Sequence, residues 1–370
     1  MLVNALRMKV AFRTDASLEI GTGHVMRCLT LADALHKRGV QSTFVCRPHV
    51  GHLLDLIQQH GHAAIALSPS DSLFSASADP NHAKWLGTDW SNDAVQTRQS
   101  IASQVVDWLV VDHYALDRRW ESSLRSQARR IFAIDDLADR PHDCDLLLDQ
   151  NLGRQTNDYC GLLGSETRTL IGPSYALLRP EFSKWRKYSL ERRKNPDLKN
   201  LLITMGGVDQ RNATGKVLDL LSRCEVPADL RITVVMGSNA PWLAQVQAQA
   251  AEMSHPTQVL DSVNNMAQLM AESDLCIGAA GSTAWERCAL GLPTLVLILA
   301  ANQESGAMAL HAHGAAYFAS GIEQLRIQLT ALFSSEKQSA VLRSMSKDAA
   351  KLTAGDGVLH VAELLLASHV

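Results

Sequence analysis

The sequence predicts an α/β protein of two domains, each a parallel sheet covered by helices. Short apolar runs alternate with stretches of helical periodicity along most of the chain, which is the pattern of consecutive βα units. At 370 residues the chain exceeds the length at which a single hydrophobic core keeps growing. A dense basic segment, 184–199, separates two strand-rich halves. We therefore expect two Rossmann-like domains whose parallel sheets face each other across a cleft.

This division predicts four segments. The N-terminal Rossmann-like domain covers 1–185, and a solvated basic linker covers 186–199. The C-terminal Rossmann-like domain covers 200–350, and a final helix covers 351–370.

Each half has its own series of predicted strands. In the first half they are Val10–Phe12, Gln41–Cys46, Ala63–Leu67, Trp108–Asp112, Arg130–Asp135 and Leu146–Asp149. In the second half they are Asn200–Met205, Leu230–Met236, Val259–Leu260, Leu275–Gly278 and Thr294–Leu299. Several strands of the first half end in polar residues, Asp112 and Asp135 among them. The carboxyl ends of parallel strands face the ligand crevice in open sheets, so these residues are candidates for a site.

Composition excludes several classes of protein. A hydrophobic fraction of 46% and a charged fraction of 20% are ordinary for a globular protein, and the net charge of -3 argues against nucleic-acid binding. The seven cysteines form no C-x-x-C pair, which favours free thiols in a reducing cytoplasm. The first seven residues are too short for a signal peptide, and no apolar run is long enough to insert in a membrane.

A glycine-rich turn, Gly21-Thr-Gly-His24, follows the first predicted strand and leads into an amphipathic helix. Gly21 and Gly23 allow a tight turn, and the unpaired N–H groups of a helix start attract negative charge. The same partial positive charge disfavours an imidazolium, so we expect His24 to be neutral near pH 7. Two interpretations stay open at this point: a general base, or an ordinary helix-start histidine in contact with solvent.

A second glycine-rich turn, Met205–Asp209, follows the first strand of the second half and precedes a helical segment. Gly206 and Gly207 would allow close approach to a phosphate, a sugar or a base.

A third turn begins at Gly281 and leads into a helix near Ala284. Exposed N–H groups and the hydroxyl of Ser282 or Thr283 suit a diphosphate, and Glu286 could accept hydrogen bonds from ribose hydroxyls. Helix capping alone is the structural alternative. Gln303 lies in a polar stretch just after the next strand, and this stretch also favours a bound ligand.

No ligand set for a metal emerges, and we predict neither a metal nor a cofactor. Asp143-Cys-Asp145 has the spacing of a metal clamp, but its place beside Pro141 favours a structural role. Asp135 and Asp136 are adjacent on a strand and point to opposite faces, so they do not form a glycosidase pair.

Taken in order, these motifs resemble the UDP-2,4-diacetamido-2,4,6-trideoxy-β-L-altropyranose hydrolases of the pseudaminic acid pathway. The resemblance covers roughly residues 8 to 320. It is carried by Phe12–Leu29, Val111–Tyr114, Ile134–Ala138, Cys144–Asn151, Tyr175–Phe182, Met205–Asp209, Gly281–Cys288 and Asn302–Glu304. The glycine-rich turns taken singly are shared with the wider GT-B glycosyltransferases, including the lipid II N-acetylglucosaminyltransferase.

The resemblance implies a GT-B fold, a UDP-sugar substrate and hydrolysis that releases UDP without a metal. It implies that His24 is the base that activates water, and that the last helix crosses back onto the N-terminal domain.

By position or family likeness, the candidate substrate contacts are Asp15, Gly23, His113, Tyr114, Arg179 and Asn302. The candidate nucleotide contacts are Gly206, Gly207, Gly281, Ser282, Thr283, Glu286 and Gln303. Asp15 could orient His24 or bind a sugar amide, and Arg179 has the alternative of a surface charge. One position departs from the family pattern, because Val208 replaces the usual Thr or Ser and removes a hydroxyl.

The leaving diphosphate is stable and needs no protonating acid, so one base suffices for a single displacement with inversion. Three alternatives remain: a GT-B glycosyltransferase, a GT-B epimerase acting on a UDP-N-acetylhexosamine, and a binding protein without turnover. Membrane-acceptor transferases often carry an exposed apolar and basic patch, and we see none between Val50 and Arg98. The oligomeric state and the stereochemistry of the sugar stay open.

Overall fold

The computed structural model of the protein describes residues 8–69, 80–102, 105–261, 263–300 and 303–368. The chain divides into two compact units. The first unit runs up to Leu177 and resumes at Gly357, and the second unit is Leu178–Asp356.

The strands of the two units form two separate parallel sheets. The strands of the first unit are β1 (Lys9–Thr14), β2 (Gln41–Cys46), β3 (Ala63–Ala66), β4 (Val106–Asp112), β5 (Ala128–Ile134), β6 (Leu146–Asp149) and β7 (Arg168–Ile171). The strands of the second unit are β8 (Asn200–Thr204), β9 (Arg231–Met236), β10 (Thr257–Asp261), β11 (Leu275–Ala279), β12 (Thr294–Leu297) and β13 (Tyr317–Ala319). The sheet orders are β3-β2-β1-β4-β5-β6-β7 and β10-β9-β8-β11-β12-β13. In each sheet the first strand along the chain lies near the middle. Later strands are added first on one side of it and then on the other, as in Rossmann folds. The α/β prediction is confirmed.

The helices connect successive strands. In chain order they are α1 (Gly23–His36), α2 (Leu54–Gln59), α3 (Trp90–Ile101), α4 (Arg118–Leu124), α5 (Pro180–Arg192), α6 (Ala213–Ser222), α7 (Leu243–Ala251), α8 (Met266–Glu272), α9 (Thr283–Ala289), α10 (Glu304–Ala312), α11 (Ile322–Phe333), α12 (Gln338–Leu352) and α13 (Gly357–Ala367). Among the described residues, none of these helices is both long and apolar enough to cross a membrane.

The sheet of the first unit is buried on both faces. Alternate residues of β1 enter different cores: Phe12 packs with Phe44 on the side of α1 and α13, whereas Ala11 packs on the side of α3 and α4. A strand that is covered on both faces reads as a continuous apolar run, which is why the sequence pattern locates it. β1 pairs with β4 so that Thr14 lies opposite Asp112. This register brings the ends of the two strands to the same edge.

The final helix, α13, packs in the first unit against α1 and the 3-10 turn Pro173–Tyr175. Trp108 Nε1 donates to the carbonyl of Leu365 at 3.3 Å. A Cβ on Gly357 would lie 2.5 Å from the carbonyl carbon of Tyr175, so only glycine allows this approach.

The basic segment 184–199 is not a solvated linker. Most of it lies in α5 of the second unit, and two of its arginines bind backbone carbonyls at the ends of other helices. Arg186 donates to Ala350 O at 2.6 Å, and Arg193 donates to Met270 O and Ser273 O at 2.9 Å. Cations at helix C-termini satisfy carbonyls that the helix leaves unpaired. Burial lowers the pKa of Arg193 to about 9, with Arg192 adding to the effect. The chain passes from one unit to the other at Leu177, before this segment rather than within it.

Two strands escaped the sequence prediction, β7 and β13. Both are short and lie at sheet edges, and Arg168 and Tyr317 are exposed. An edge strand is buried less evenly than a central strand, so its hydrophobic pattern is weak.

Candidate active site

His24 lies at the start of α1 with its ring held by a carboxylate from another strand. Its Nδ1 is 2.6 Å from Oδ1 of Asp112, the last residue of β4. An ionised carboxylate only accepts hydrogen bonds, so Nδ1 carries the proton and donates. Nε2 is then the ring nitrogen left to accept a proton. The pair has the arrangement of a general base whose ring is oriented by a carboxylate.

Asp112 is held in turn by a bidentate arginine. Arg27 Nε donates to Asp112 Oδ2 at 2.6 Å, and its second terminal nitrogen donates to Oδ1 at 2.7 Å. Arg27 follows His24 by three residues, which places both side chains on one face of α1. Burial by itself would raise the pKa of Asp112, but Arg27 and then His24 hold that pKa well below its usual range. The carboxylate therefore stays charged beside the imidazole.

A second carboxylate extends this network. Asp136 Oδ2 accepts from Arg27 at 2.7 Å and from the hydroxyl of Tyr114 at 2.8 Å. The ring of Tyr114 meets the ring of His24 edge-on at 4.6 Å between centroids. Burial, together with the charge of Asp136, raises the pKa of Tyr114 well above its usual value, so the phenol stays protonated. The network fixes the His24 ring from two sides.

The loop that carries Asp136 is tightly bound. Asp135 Oδ2 accepts from the backbone N–H of Ala138 at 2.8 Å, and Ala138 has a φ of 52°. Asn151 Nδ2 and Arg154 donate to the carbonyl of Asp136 at 2.8 and 3.1 Å. These bonds stabilise a backbone conformation that alanine rarely adopts.

Asp15 does not hold His24. Its carboxylate is fully buried and accepts from Arg13 at 2.7 Å and from the backbone N–H of Arg47 at 2.7 Å. Arg13 and Arg47 both also bind Asp93. The predicted roles of Asp15, orienting the base or binding a sugar amide, do not fit this burial. Asp112 orients the ring instead, because β4 lies beside β1 in the sheet.

His113 is buried beside Asp15 rather than open to a ligand. Its Nδ1 accepts from the backbone N–H of Ala115 at 3.1 Å, and its Nε2 is 3.3 Å from Asp15 Oδ2. A ring nitrogen that accepts is unprotonated, and burial lowers the pKa of His113, so the ring is neutral. Gly23, by contrast, is exposed at the first position of α1.

In the second unit, Gly206 and Gly207 follow β8. Gly206 has a φ of 88°, and a Cβ placed there would meet no atom within 4 Å, so the space beside it is open. The carbonyl of Gly207 accepts from Gly237 N at 3.1 Å, and a Cβ on Gly237 would lie 2.2 Å from that oxygen. The ends of β8 and β9 can thus lie this close together because Gly237 has no side chain.

Gly281 and Ser282 form an exposed turn before α9, and Gly281 has a φ of 139°. A buried arginine lies beneath this turn. Arg287 donates to Ala279 O at 2.8 Å and to Thr283 Oγ1 at 3.2 Å. Ser282 stands at the N-cap of α9, but its side chain makes no capping hydrogen bond. The hydroxyl is therefore not used to cap the helix, which was the structural alternative for Ser282.

Glu286 faces Arg179, 3.5 Å away, and Arg179 also pairs with Glu181 at 3.2 Å. Burial raises the pKa of Glu286, and Arg179 opposes that shift. Gln303 Oε1 accepts from Leu299 N at 3.0 Å and so closes the turn after β12. Asn302 lies outside the described residues.

In the described ranges, no group of three or more His, Cys, Asp or Glu side chains could hold a metal ion. Asp143 and Asp145 both bind Arg125, at 2.6 and 2.5 Å. The spacing of Asp143 and Asp145 thus lets both carboxylates pair with one arginine.

Sequence reasoning missed three residues of these networks: Arg27, Asp136 and Arg287. Arg27 had a signal, because it follows His24 by one helical turn. Asp136 had a weak signal, because it directly follows a strand, but its partner Arg27 is 109 residues away; Arg287 binds Ala279 O and Thr283 Oγ1 close to it in sequence.

Comparison with known proteins gives three kinds of likeness. Residues 200–358 match the model of the glycosyltransferase family 28 C-terminal domain. The uncharacterized protein MJ1062 of Methanocaldococcus jannaschii is 29% identical over 78% of this chain, and the match spans 55% of that protein's length. The UDP-2,4-diacetamido-2,4,6-trideoxy-β-L-altropyranose hydrolase of Campylobacter jejuni is 30% identical over 81% of this chain and 95% of its own. The crystal structure of Acinetobacter baumannii MurG superposes with a TM-score of 0.66 at 18% identity, covering 97% of this chain and 99% of that one. At that identity the structural likeness bears on the fold, which is GT-B.

Proposed function

We propose that this chain, which belongs to the family of the UDP-2,4-diacetamido-2,4,6-trideoxy-β-L-altropyranose hydrolases, uses water to release UDP from that UDP-linked sugar. The observation that carries the proposal is the 2.6 Å bond between His24 Nδ1 and Asp112. The bond leaves Nε2 of His24 as a proton acceptor. The relative from Campylobacter jejuni, whose name states this activity, matches over nearly its whole length.

In the proposed reaction, His24 acts as a general base. A water molecule gives a proton to Nε2 while its oxygen attacks the anomeric carbon. Asp112 stabilises the imidazolium that forms, and Arg27 keeps that carboxylate charged and oriented. A base in this role contributes about 10²–10⁴-fold to the rate. Tyr114 and Asp136 keep the ring at a fixed angle.

The bond between the anomeric carbon and the diphosphate oxygen breaks as the new carbon–oxygen bond forms. Its electron pair leaves with UDP, which is a stable anion and needs no acid to protonate it. One displacement on the face opposite the leaving group inverts the anomeric configuration. The free sugar leaves as a hemiacetal, and the proton on His24 returns to solvent.

The second unit supplies groups suited to the nucleotide. Gly206 and Gly281 leave open space beside their backbones, where phosphate oxygens can approach N–H groups. The guanidinium of Arg287 lies beneath the turn that contains Gly281 and favours negative charge there. Glu286 could accept hydrogen bonds from ribose hydroxyls, with Arg179 as its partner.

A glycosyltransferase is the second candidate. The match to the family 28 C-terminal domain favours it, because that domain is named for transfer of the sugar to an acceptor. The same base would then deprotonate an acceptor hydroxyl instead of water.

One experiment separates the two activities and the epimerase. The protein is incubated with the UDP-linked diacetamido-trideoxy-altrose alone, and the anomeric proton and free UDP are followed by NMR. A hydrolase yields UDP and free sugar with the inverted anomer first. No release without an added acceptor would overturn the proposal and leave a transferase or a binding protein, and an altered sugar still linked to UDP would indicate an epimerase.

A further inference from the structure

Three aromatic rings lie together beside the proposed base. The 3-10 turn Ala83–Leu86 follows His82 and brings Trp85 against Tyr114. Trp85 stacks on Tyr114 with 5.8 Å between ring centroids and 24° between planes. His82 meets Trp85 at 4.4 Å and Tyr114 at 5.3 Å. We call His82, Trp85 and Tyr114 the aromatic wall.

The aromatic wall borders His24 directly. Tyr114 contacts the His24 ring at 4.6 Å and the Trp85 ring at 5.8 Å between centroids. Tyr114 cannot rotate freely, because Asp136 binds its hydroxyl at 2.8 Å and Arg140 lies 5.9 Å from its ring centroid. The wall is thus fixed relative to the base by the bonds that orient the base.

The turn that carries Trp85 is anchored so that its ring stays partly exposed. Leu86 is buried in the core shared with α3 and α4, whereas Trp85 and His82 remain half-buried. Lys84 pairs with Glu19 at 2.6 Å, which links the turn to the loop that leads into His24. An indole held in place with part of its ring open is suited to pack against a ligand.

We propose that the aromatic wall packs against the apolar part of the sugar beside His24, and that Trp85 selects a sugar whose C6 is a methyl group. The inference rests on the proposed function and adds to it a residue that determines specificity. Burial keeps the pKa of His82 below its usual value, so the wall carries no charge on this side. A methyl group gains from contact with such a surface, whereas a hydroxymethyl group loses hydrogen bonds to water there.

The size of the effect follows from known discrimination by apolar pockets. One methyl group, or one added hydroxyl, changes kcat/KM by about 10- to 200-fold at a well-packed site. We expect wild-type protein to prefer the 6-deoxy sugar within that range, and we assign most of the preference to Trp85.

The test compares two substrates, the UDP-linked 2,4-diacetamido sugar with a methyl group at C6 and the same compound with a hydroxymethyl group. UDP release is measured for wild type, Trp85→Ala, Trp85→Leu and Trp90→Ala. Trp85→Ala should lower kcat/KM for the methyl substrate at least about tenfold and bring the ratio of the two substrates close to one. Trp85→Leu leaves a smaller apolar side chain in place, so it should retain more of the preference than Trp85→Ala.

Trp90 is the matched control. It is half-buried in the same unit and contacts Arg119 rather than the aromatic wall, so Trp90→Ala should keep the wild-type ratio. An unchanged ratio in both Trp85 variants, with wild type active, would overturn this inference and leave the hydrolase intact. No UDP release by wild type from either compound would overturn the proposed function, and this inference with it.

Discussion

The hydroxyl of Tyr159 lies 2.9 Å from Oδ2 of Asp149 and carries the single proton of that contact. The same hydroxyl is also 2.9 Å from Oδ2 of Asp135. One phenol proton is shared between the two carboxylates, and Arg154 Nε also donates to Asp149 Oδ2 at 2.7 Å. Burial and the charge of Asp136 raise the pKa of Asp149 to about 6.

This cluster predicts how stability depends on pH. The folded-state pKa of Asp149 lies above its unfolded value, so its contribution is present below about pH 4 and is lost as pH rises through about 6. A shift of about two units corresponds to about 3 kcal/mol. The free energy of unfolding of wild type, minus that of Asp149→Asn, should therefore fall by about 2 kcal/mol between pH 4 and pH 7, since the unfolded carboxyl is already about half ionised at pH 4.

Denaturant unfolding at several pH values checks this. Asp219→Asn is the control, because its side chain is 52% exposed and pairs only with Arg223 among the bonds described for it. Its difference from wild type should stay flat. A flat difference for Asp149→Asn as well would show that the pKa of Asp149 is the same in the folded and unfolded protein.

Asp112→Asn should abolish most turnover while the protein remains folded. The amide allows His24 Nδ1 to accept, which puts the proton on Nε2 and removes the base; the equivalent change in a Ser-His-Asp triad costs about 10⁴-fold in kcat. We expect a loss of about 10³–10⁴-fold in kcat with KM little changed. Steady-state UDP release measures it. Asp143→Asn removes a half-buried partner of Arg125 and should keep wild-type kcat.

His24→Ala should stop UDP release and leave UDP binding close to that of wild type, because the nucleotide contacts we propose lie on other residues. Calorimetric titration with UDP and an assay of turnover report the two properties separately. His60→Ala provides a matched change at a histidine that pairs with Asp33 and is 36% exposed. Near-normal turnover of His24→Ala would rule out the proposed base.

Arg287→Met should weaken UDP binding. The methionine keeps much of the buried volume but removes the charge and the bonds to Ala279 O and Thr283 Oγ1 that hold the exposed turn. Hydrogen bonds of a charged group contribute about 1.5–3 kcal/mol, so the Kd for UDP should rise about 10- to 150-fold. Arg326→Met, at an exposed pair with Glu323, should leave the Kd unchanged. An unaltered Kd in Arg287→Met would remove Arg287 from the nucleotide site.

UDP release should persist in excess chelator, because the proposed leaving group is stabilised by N–H groups and Arg287. The rate is measured before and after dialysis against EDTA. Loss of activity that Mg²⁺ restores would contradict the metal-free mechanism.

The sequence pattern predicted an element correctly where that element is evenly buried. The strands β2 and β6 have the predicted bounds; β6 is a fully buried apolar run, and in β2 the last three residues are buried. Gly206, which follows a strand, has a φ of 88°, a conformation that favours glycine. The edge strand β13 has no comparable pattern, and charge alone was misleading at Arg193, whose guanidinium binds carbonyls of the core.

The sequence by itself determined the α/β fold, the glycine-rich turns and His24 as the candidate base, because each depends on residues that are neighbours along the chain. Only the tertiary structure decided which carboxylate binds the ring of the candidate base. Asp15 and Asp112 follow adjacent strands, and the choice between them depends on the register of β1 with β4 and on which buried arginine each one meets. Asp112 and His24 are 88 residues apart. A contact at that separation is set by strand order and side-chain direction, which a local pattern does not contain.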